Sequence, residues 1–497
     1  MPPVKYRLRE MGQGFPVDDF LSSINNIIWS RALIGLCLGV GLWFSIRTRF
    51  MQVRGFFEML RLMVKGEKSA AGVSSWQALS ISLSGRIGVG NIAGTATAIA
   101  FGGPGAIFWM WVMAFLGAST SFVECTLGQI YKEKDDKGLY RGGPAFYIEK
   151  GIGQKWFAWT FAIATILSCG LLLPGVQANG IAAGMSNAFG LASWITALVM
   201  ASLLGFIIFG GVKRIATFAQ FVMPFMAGGY VLAAIVIMVL NSEKVPEMFA
   251  LIFRSAFGAE AAYGAVMGLA VEWGVKRGIY ANEAGQGTGP HSAAAAEVSH
   301  PAKQGYVQAF SIYFDTFLIC TATAFIVLGT GMYNVNNPGG GFITERVPGI
   351  EAGVGFVQAG IESTFPGFGA AFVALAILFF AFTTLVAYYY MAETNIVFIN
   401  RKIHRPWITQ AMRVAMLVAV VYGSLRTAAN AWTLGDIGVG IMSWLNIIAI
   451  LILQKPAIQA LKDYEAQKKA GKDPTFDPEA LGIRNATLWS ERKKSSS

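Results

Sequence analysis

Ser82-Leu-Ser-Gly-Arg-Ile-Gly-Val-Gly-Asn-Ile-Ala-Gly-Thr95 lies inside an apolar run from Trp76 to Phe101. The run is long enough to cross a bilayer, yet Gly85, Arg86, Gly88, Gly90, Asn91 and Gly94 crowd its middle. Each glycine weakens a helix by about 1 kcal/mol relative to alanine. Loosened backbone survives in lipid only where protein or a watery cavity covers it. The stretch therefore predicts a transmembrane helix broken near mid-membrane, the device by which transporters hold a small charged solute and its ion. Close helix packing through small residues is the competing reading.

Working outward, the chain has 497 residues, of which 54% are hydrophobic and only 13% charged. Its mean hydropathy is +0.52. Soluble domains carry about 25% charged residues, and several uncharged runs here exceed the roughly 18 residues that mark a spanning helix. The chain is thus an all-α polytopic membrane protein with the lipid bilayer as its solvent. The net charge of +11 does not indicate nucleic acid, because the basic residues fall between spans. Cys37, Cys125, Cys169 and Cys320 lie in apolar segments without zinc spacing. His291, His300 and His404 fall in what read as polar connections, so no metal centre and no cofactor are expected.

Eleven spans are predicted, at 25–46, 76–101, 104–130, 157–187, 192–210, 215–240, 258–279, 306–332, 367–391, 408–427 and 432–454. With the N-terminus outside, 29 of the 39 Lys and Arg residues fall in cytoplasmic connections, six fall outside, and Arg31, Arg86, Arg413 and Arg426 lie in spans. Residues 1–24 are then an extracytoplasmic segment without a cleavable signal, and 25–75 a first helix with a basic amphipathic connection along the inner leaflet. Residues 76–240 and 241–454 each hold five spans, and 455–497 form a tail, helical to about Gln467 and mobile beyond. Because five is odd, the second set enters from the opposite side, the arithmetic of an inverted repeat. Span seven, the counterpart of span two, carries Gly258, Gly264, Gly268 and Gly274, a paired weak point.

A freed helix N-terminus offers N–H groups and the positive end of a dipole to a carboxylate. Gly88, Val89, Gly90 and Asn91 are placed to do so, with Gly268 on the paired helix. Freed carbonyls nearby suit a hard cation. Gln177 and Asn179, after Pro174-Gly175, could hold a substrate amine or simply bond between helices. Thr383 and Thr384 offer hydroxyl oxygens or bond back to their own helix. Among the intramembrane acids Glu124, Glu272, Asp315 and Glu393, Glu272 is the candidate partner of Arg86 in a gate on the cytoplasmic side, with snorkelling or a static pair as the alternative. An acid buried alone would point to proton coupling.

Gly102-Gly-Pro-Gly-Ala-Ile-Phe-Trp-Met-Trp-Val-Met-Ala-Phe-Leu-Gly117 resembles the signature of the alanine/glycine:cation symporter family, the sodium:alanine symporters. Gly90-Asn-Ile-Ala-Gly94, Arg141-Gly-Gly-Pro-Ala145, Arg277-Gly-Ile-Tyr-Ala-Asn-Glu-Ala-Gly285, Phe314-Asp-Thr316 and Cys320-Thr321 resemble it too. The resemblance implies a leucine-transporter-like core of ten helices after one extra helix, in the amino acid–polyamine–organocation style. It implies Na⁺-driven uptake of small neutral amino acids, chiefly alanine and glycine, across a bacterial plasma membrane, with a monomer expected. By position, Gly88–Asn91, Gln177 and Thr384 hold the amino acid. Na⁺ is held at Ser84, Ile87, Phe380, Thr383 and Thr384. The chain departs from the family where Tyr388 replaces a frequent Trp, at Tyr280-Ala281, and in Gln286-Gly-Thr-Gly-Pro-His291. Tyr388 either widens the pocket or adds a hydrogen bond, which leaves serine or glutamine as alternative substrates. A proton-coupled carrier is the first rival. A channel lacks its polar pore here, and a membrane enzyme lacks a nucleophile–base pair or phosphate loop.

Overall fold

A computed structural model describes residues 16–64, 73–259, 263 and 266–496. The basic N-terminal residues Lys5, Arg7 and Arg9, part of the amphipathic connection (65–72) and Gly264 lie outside the described residues. Seven predicted spans coincide with helices long and apolar enough to cross a membrane: Phe20–Arg47, Ala106–Ile130, Lys155–Phe189, Pro301–Thr330, Gly369–Ile403, Trp407–Ser424 and Ala428–Ile452. The span at 192–210 is the shorter apolar helix Ser193–Ile208. The span at 215–240 lies in Gly211–Leu240, which contains Pro224 and is followed by an 84° bend into Val245–Ala256.

The two remaining spans are the broken ones. The first runs as Ser75–Arg86, a π-helical turn Gly90–Gly94, and Thr95–Gly102. Ser74 starts it with a reciprocal capping box to Gln77, which satisfies two orphan amides. The second runs as Met267–Asn282 and Gly289–Ala295. Its break is not at the expected glycines. Gly258 sits in a turn before the helix, and a Cβ on Gly274 would stand 2.5 Å from Ala106 O and from Trp109 Cβ, so that glycine permits close helix packing. The chain instead leaves the helix at Glu283, where φ is +59°, and turns through Gly285 and Gly287, also at positive φ. Residues 274–296 are buried throughout. The expected connection at 276–304 is therefore mostly interior, Lys276 and Arg277 lie within the helix, and His291 is packed between Gly143 and Asn395.

The tail also departs from expectation. Gln454–Lys469 is helical, but the chain beyond it is not loose: Phe476, Ile483, Leu488 and Trp489 are buried. The tail is stitched to its face of the bundle by Phe476 N–H donating to Ser299 O (3.1 Å) and Trp489 Nε1 donating to Gln129 O (2.9 Å). Ion pairs Arg54–Glu465 (2.5 Å) and Lys303–Asp473 (3.0 Å) add to it, but the first is partly exposed and the second has its carboxylate in solvent, so both are screened and apolar burial carries most of the attachment. Trp489→Ala removes a large buried side chain, a change worth about 3–5 kcal/mol in a fully packed core. It should release the tail, measured as faster proteolytic cleavage after Lys472 than in the wild-type protein, with the helical bundle intact by circular dichroism.

Candidate functional site

The first broken helix ends at Arg86 because Ile87 adopts φ −81° and ψ 93°, outside the helical region. Gly88 follows as a requirement of space: a Cβ there would lie 2.5 Å from Thr384 Oγ1 and 2.7 Å from Gln177 Oε1. A Cβ on Gly90 would lie 2.9 Å from the Tyr280 ring. Backbone is thus brought against side chains from three other helices, which only glycine allows. The freed amides are occupied by side-chain oxygens. Gly88 N–H donates to Asn91 Oδ1 (2.9 Å), and Val89 N–H donates to Gln177 Oε1 (3.0 Å). Each amide therefore already points at an oxygen acceptor, the chemistry that a carboxylate supplies with greater charge.

On the other side of the same backbone, five oxygens converge. Thr384 Oγ1 lies 2.8 Å from Ser84 O, 3.2 Å from Ile87 O and 3.0 Å from Phe380 O, and Thr383 Oγ1 lies 2.9 Å from Phe380 O. Two hydroxyl protons serve five oxygens, so acceptor lone pairs are in excess. The donor set is neutral, oxygen-only and buried, which suits a hard monovalent cation held weakly enough to leave. All five residues named from the sequence for the cation come together here. Thr383 also makes the back-bond to its own helix that membrane threonines favour.

The far wall of the pocket is Gln177, Tyr280 and Tyr388, all buried. Both tyrosine hydroxyls face the Gln177 carboxamide. Tyr388 therefore brings a hydroxyl, able to donate and to accept, to this wall. Asn179, by contrast, donates to Gly423 O (3.2 Å) and Arg426 O (2.7 Å) and holds two helices together. Above Tyr280, the Trp432 ring packs at 4.9 Å, tilted by 52°, and lines a cavity of about 520 Å³ that reaches down to Val89 and Ala93. Arg277 lies over the Trp432 ring (4.3 Å) and pairs with Asp436 (2.6 Å), which also holds Lys276 (2.8 Å). Hydropathy alone does not mark Arg277 and Asp436 as a buried pair. The sequence signal for the pair is that Asp436 is the lone charged residue of Ala428–Ile452.

Two expected placements fail. Gly268 is exposed, with open space where a Cβ would be, and the counterpart of the first break is the Glu283–Gly287 turn. Arg86 does not pair with Glu272, which is half-buried in the helix Met267–Asn282 and acts on Lys276. Arg86 donates instead to Gln308 O (3.3 Å), Ser121 Oγ (3.3 Å) and Ser311 Oγ. The physical reason is direction. Arg86 lies on the tail side of the first break, whereas Glu272 precedes the second break by more than two helical turns. Glu393 belongs to a separate cluster at the tail face, with Arg141 (3.3 Å) and Arg413 (3.6 Å).

Comparison with known proteins places the chain among transporters. YrbD of Bacillus subtilis (strain 168) is 60% identical over 471 residues, spanning 95% of this chain and 97% of the relative. The sodium/proton-dependent alanine carrier protein of Bacillus sp. (strain PS3) is 56% identical over 434 residues, spanning 87% of this chain and 97% of the relative. A Na⁺-coupled sialic acid symporter, solved substrate-bound and outward-open, superposes with a TM-score of 0.50 at 13% identity, over 94% of this chain and 96% of that one, a likeness of fold alone. The model of the sodium:alanine symporter family matches residues 15–478, and the chain belongs to that family.

Proposed function

We propose that the protein is a sodium-coupled symporter of small neutral amino acids, alanine and glycine, working by alternating access. One observation carries this reading: the carbonyl of Ile87 faces the oxygen cage, while the N–H of Gly88, in the same peptide unit, points away from it to the neutral oxygen Asn91 Oδ1, beside the Val89 N–H on Gln177. A trans peptide points these two groups in opposite directions. A cation at the carbonyl and a carboxylate at the N–H polarise that unit in the same sense, so each ligand strengthens the site of the other. Gln177 and the tyrosine hydroxyls then meet the ammonium group. The tight approach of Tyr280 to Gly90 favours short side chains. The two breaks fall in the helices paired by the five-plus-five arithmetic, which supports an inverted repeat.

Proton coupling is a second reading. Glu124, Glu283 and Asp315 are buried while Arg86 is the guanidinium that faces all three, and the relative from strain PS3 is named for both cations. Loop charges favour N-terminus outside and C-terminus inside a bacterial plasma membrane, 27 against six once Lys276 and Arg277 are set aside. One charge crossing 100 mV supplies about 2.3 kcal/mol, which sustains roughly a forty-fold gradient at 1.4 kcal/mol per tenfold.

The test is uptake of labelled alanine into proteoliposomes. Accumulation should require an inward Na⁺ gradient at symmetric pH; equal accumulation without Na⁺ overturns the sodium claim. Thr384→Val removes one cage oxygen and should raise the Na⁺ concentration for half-maximal uptake about tenfold, the cost of roughly one good ligand contact. Gln177→Ala and Gly90→Val should each abolish uptake while the protein still elutes as a folded species; unimpaired transport in both would put the pocket elsewhere.

A further inference from the structure

Between the two breaks lies a group of charges that the pocket does not use. Glu124, Glu283 and Asp315 are each at most 1% exposed and share the guanidinium of Arg86. The hydrogen bonds of Arg86 end on Gln308, Ser311 and Ser121, none on a carboxylate. Three buried carboxylates facing one cation leave two uncompensated charges, each costing several kcal/mol in a dry interior.

The three acids differ in what they receive. Glu124 accepts from Gly285 N–H (3.2 Å), Gly287 N–H (3.2 Å) and Asn446 Nδ2 (2.7 Å), so both oxygens are held as an anion. Asp315 accepts from Asn91 Nδ2 (2.6 Å) and Thr316 Oγ1 (2.9 Å), one bond on each oxygen. Glu283 accepts only from Thr288 Oγ1 (2.9 Å) on Oε2, and its Oε1 is buried without a partner. Its backbone is also unusual. Glu283 holds φ +59° at the end of a helix, a position that glycine or asparagine fills at less cost. That conformation puts Oε2 3.4 Å from a Cβ built on Gly85, so the carboxyl spans the gap between the two broken helices. The titratable groups that reach it electrostatically are Arg86, Asp315, Cys125, Cys169, Tyr280 and Tyr388.

We propose that Glu283 is the proton-binding carboxyl of this carrier, with Oε1 as the atom that takes the proton. This rests on the symporter reading and names the site of its proton branch. Hydronium gives up one proton to Oε1 and leaves as water; the carboxylate becomes a neutral acid, and one positive charge has entered the site. The loss of that negative charge frees Arg86 from one attraction and Asp315 from one repulsion, at the place where the broken helices meet. Release of the proton on the other side of the membrane resets the site.

The experiment compares the wild-type protein, Glu283→Gln and Glu283→Asp in proteoliposomes, with an acid-outside pH step in Na⁺-free buffer and, separately, a Na⁺ gradient at symmetric pH. Wild type should accumulate alanine under both. Glu283→Gln should lose pH-driven uptake at least tenfold, and Glu283→Asp, which keeps an acid, should recover part of it. Infrared difference spectra of purified protein across a pH step should show the carbonyl band of a protonated carboxyl in wild type, absent in Glu283→Gln. That readout also decides the case of a Glu283→Gln protein inactive under both gradients. Wild-type levels of pH-driven uptake in Glu283→Gln, an unchanged infrared band, or no pH-driven uptake in the wild type each overturn the proposal. Wild type inactive under both gradients sinks the symporter reading, and the infrared band still judges Glu283 alone.

Discussion

The structure depends on one peptide group that cannot be satisfied by its own helix. Between Ile87 and Gly88 the backbone turns out of the helical region; its carbonyl is met by Thr384 of another helix and its N–H by the side chain of Asn91, three residues on. Inside lipid such a group costs several kcal/mol unless it is paired. The rest of the core can be read as the pairing. Helix Gly369–Ile403 brings Thr384 to the carbonyl side, and helix Leu173–Phe189 brings Gln177 to the adjacent amide of Val89. The small residues around the break exist because those partners must come close, not because the segment needs to be soft.

The second break is built from different chemistry. Where the first uses glycine and neutral oxygens, the second turns on Glu283, Gly285 and Gly287 and anchors its amides to the carboxylate of Glu124. A charged anchor fixes a loop more firmly than a neutral one, because ionised acceptors make stronger hydrogen bonds. The two discontinuities thus differ in stiffness by construction. The neutral one borders the pocket, and the ionic one is bonded to the helix that carries Glu124.

This difference explains what the sequence disclosed. The first break was legible because its glycines interrupt a run that is apolar on both sides, from Trp76 to Phe101. The second was misplaced because Asn-Glu-Ala-Gly-Gln-Gly-Thr-Gly is polar enough to pass for an aqueous connection. Hydropathy cannot distinguish residues that face water from residues that face each other inside a protein. The same blindness hid Arg277 with Asp436, moved His291 to the surface, and assigned Arg86 to Glu272. The oxygen cluster around Thr384 is legible only by resemblance, since a carbonyl carries no sequence identity and two adjacent threonines are common in membrane helices. The tail was misjudged for the opposite reason: Phe476, Ile483 and Trp489 are scattered in a charged stretch, and their burial depends on a surface contributed by distant loops.

That tail has a consequence for rate. Its bond to Ser299 and the contact of Asp463 with His300 tie the chain's far end to the residues that follow the second broken helix. Any motion that parts the helices on that face must slide beneath a leash of fixed length. Turnover speed can therefore drift through changes in the last forty or so residues while the groups that grip the cargo stay untouched.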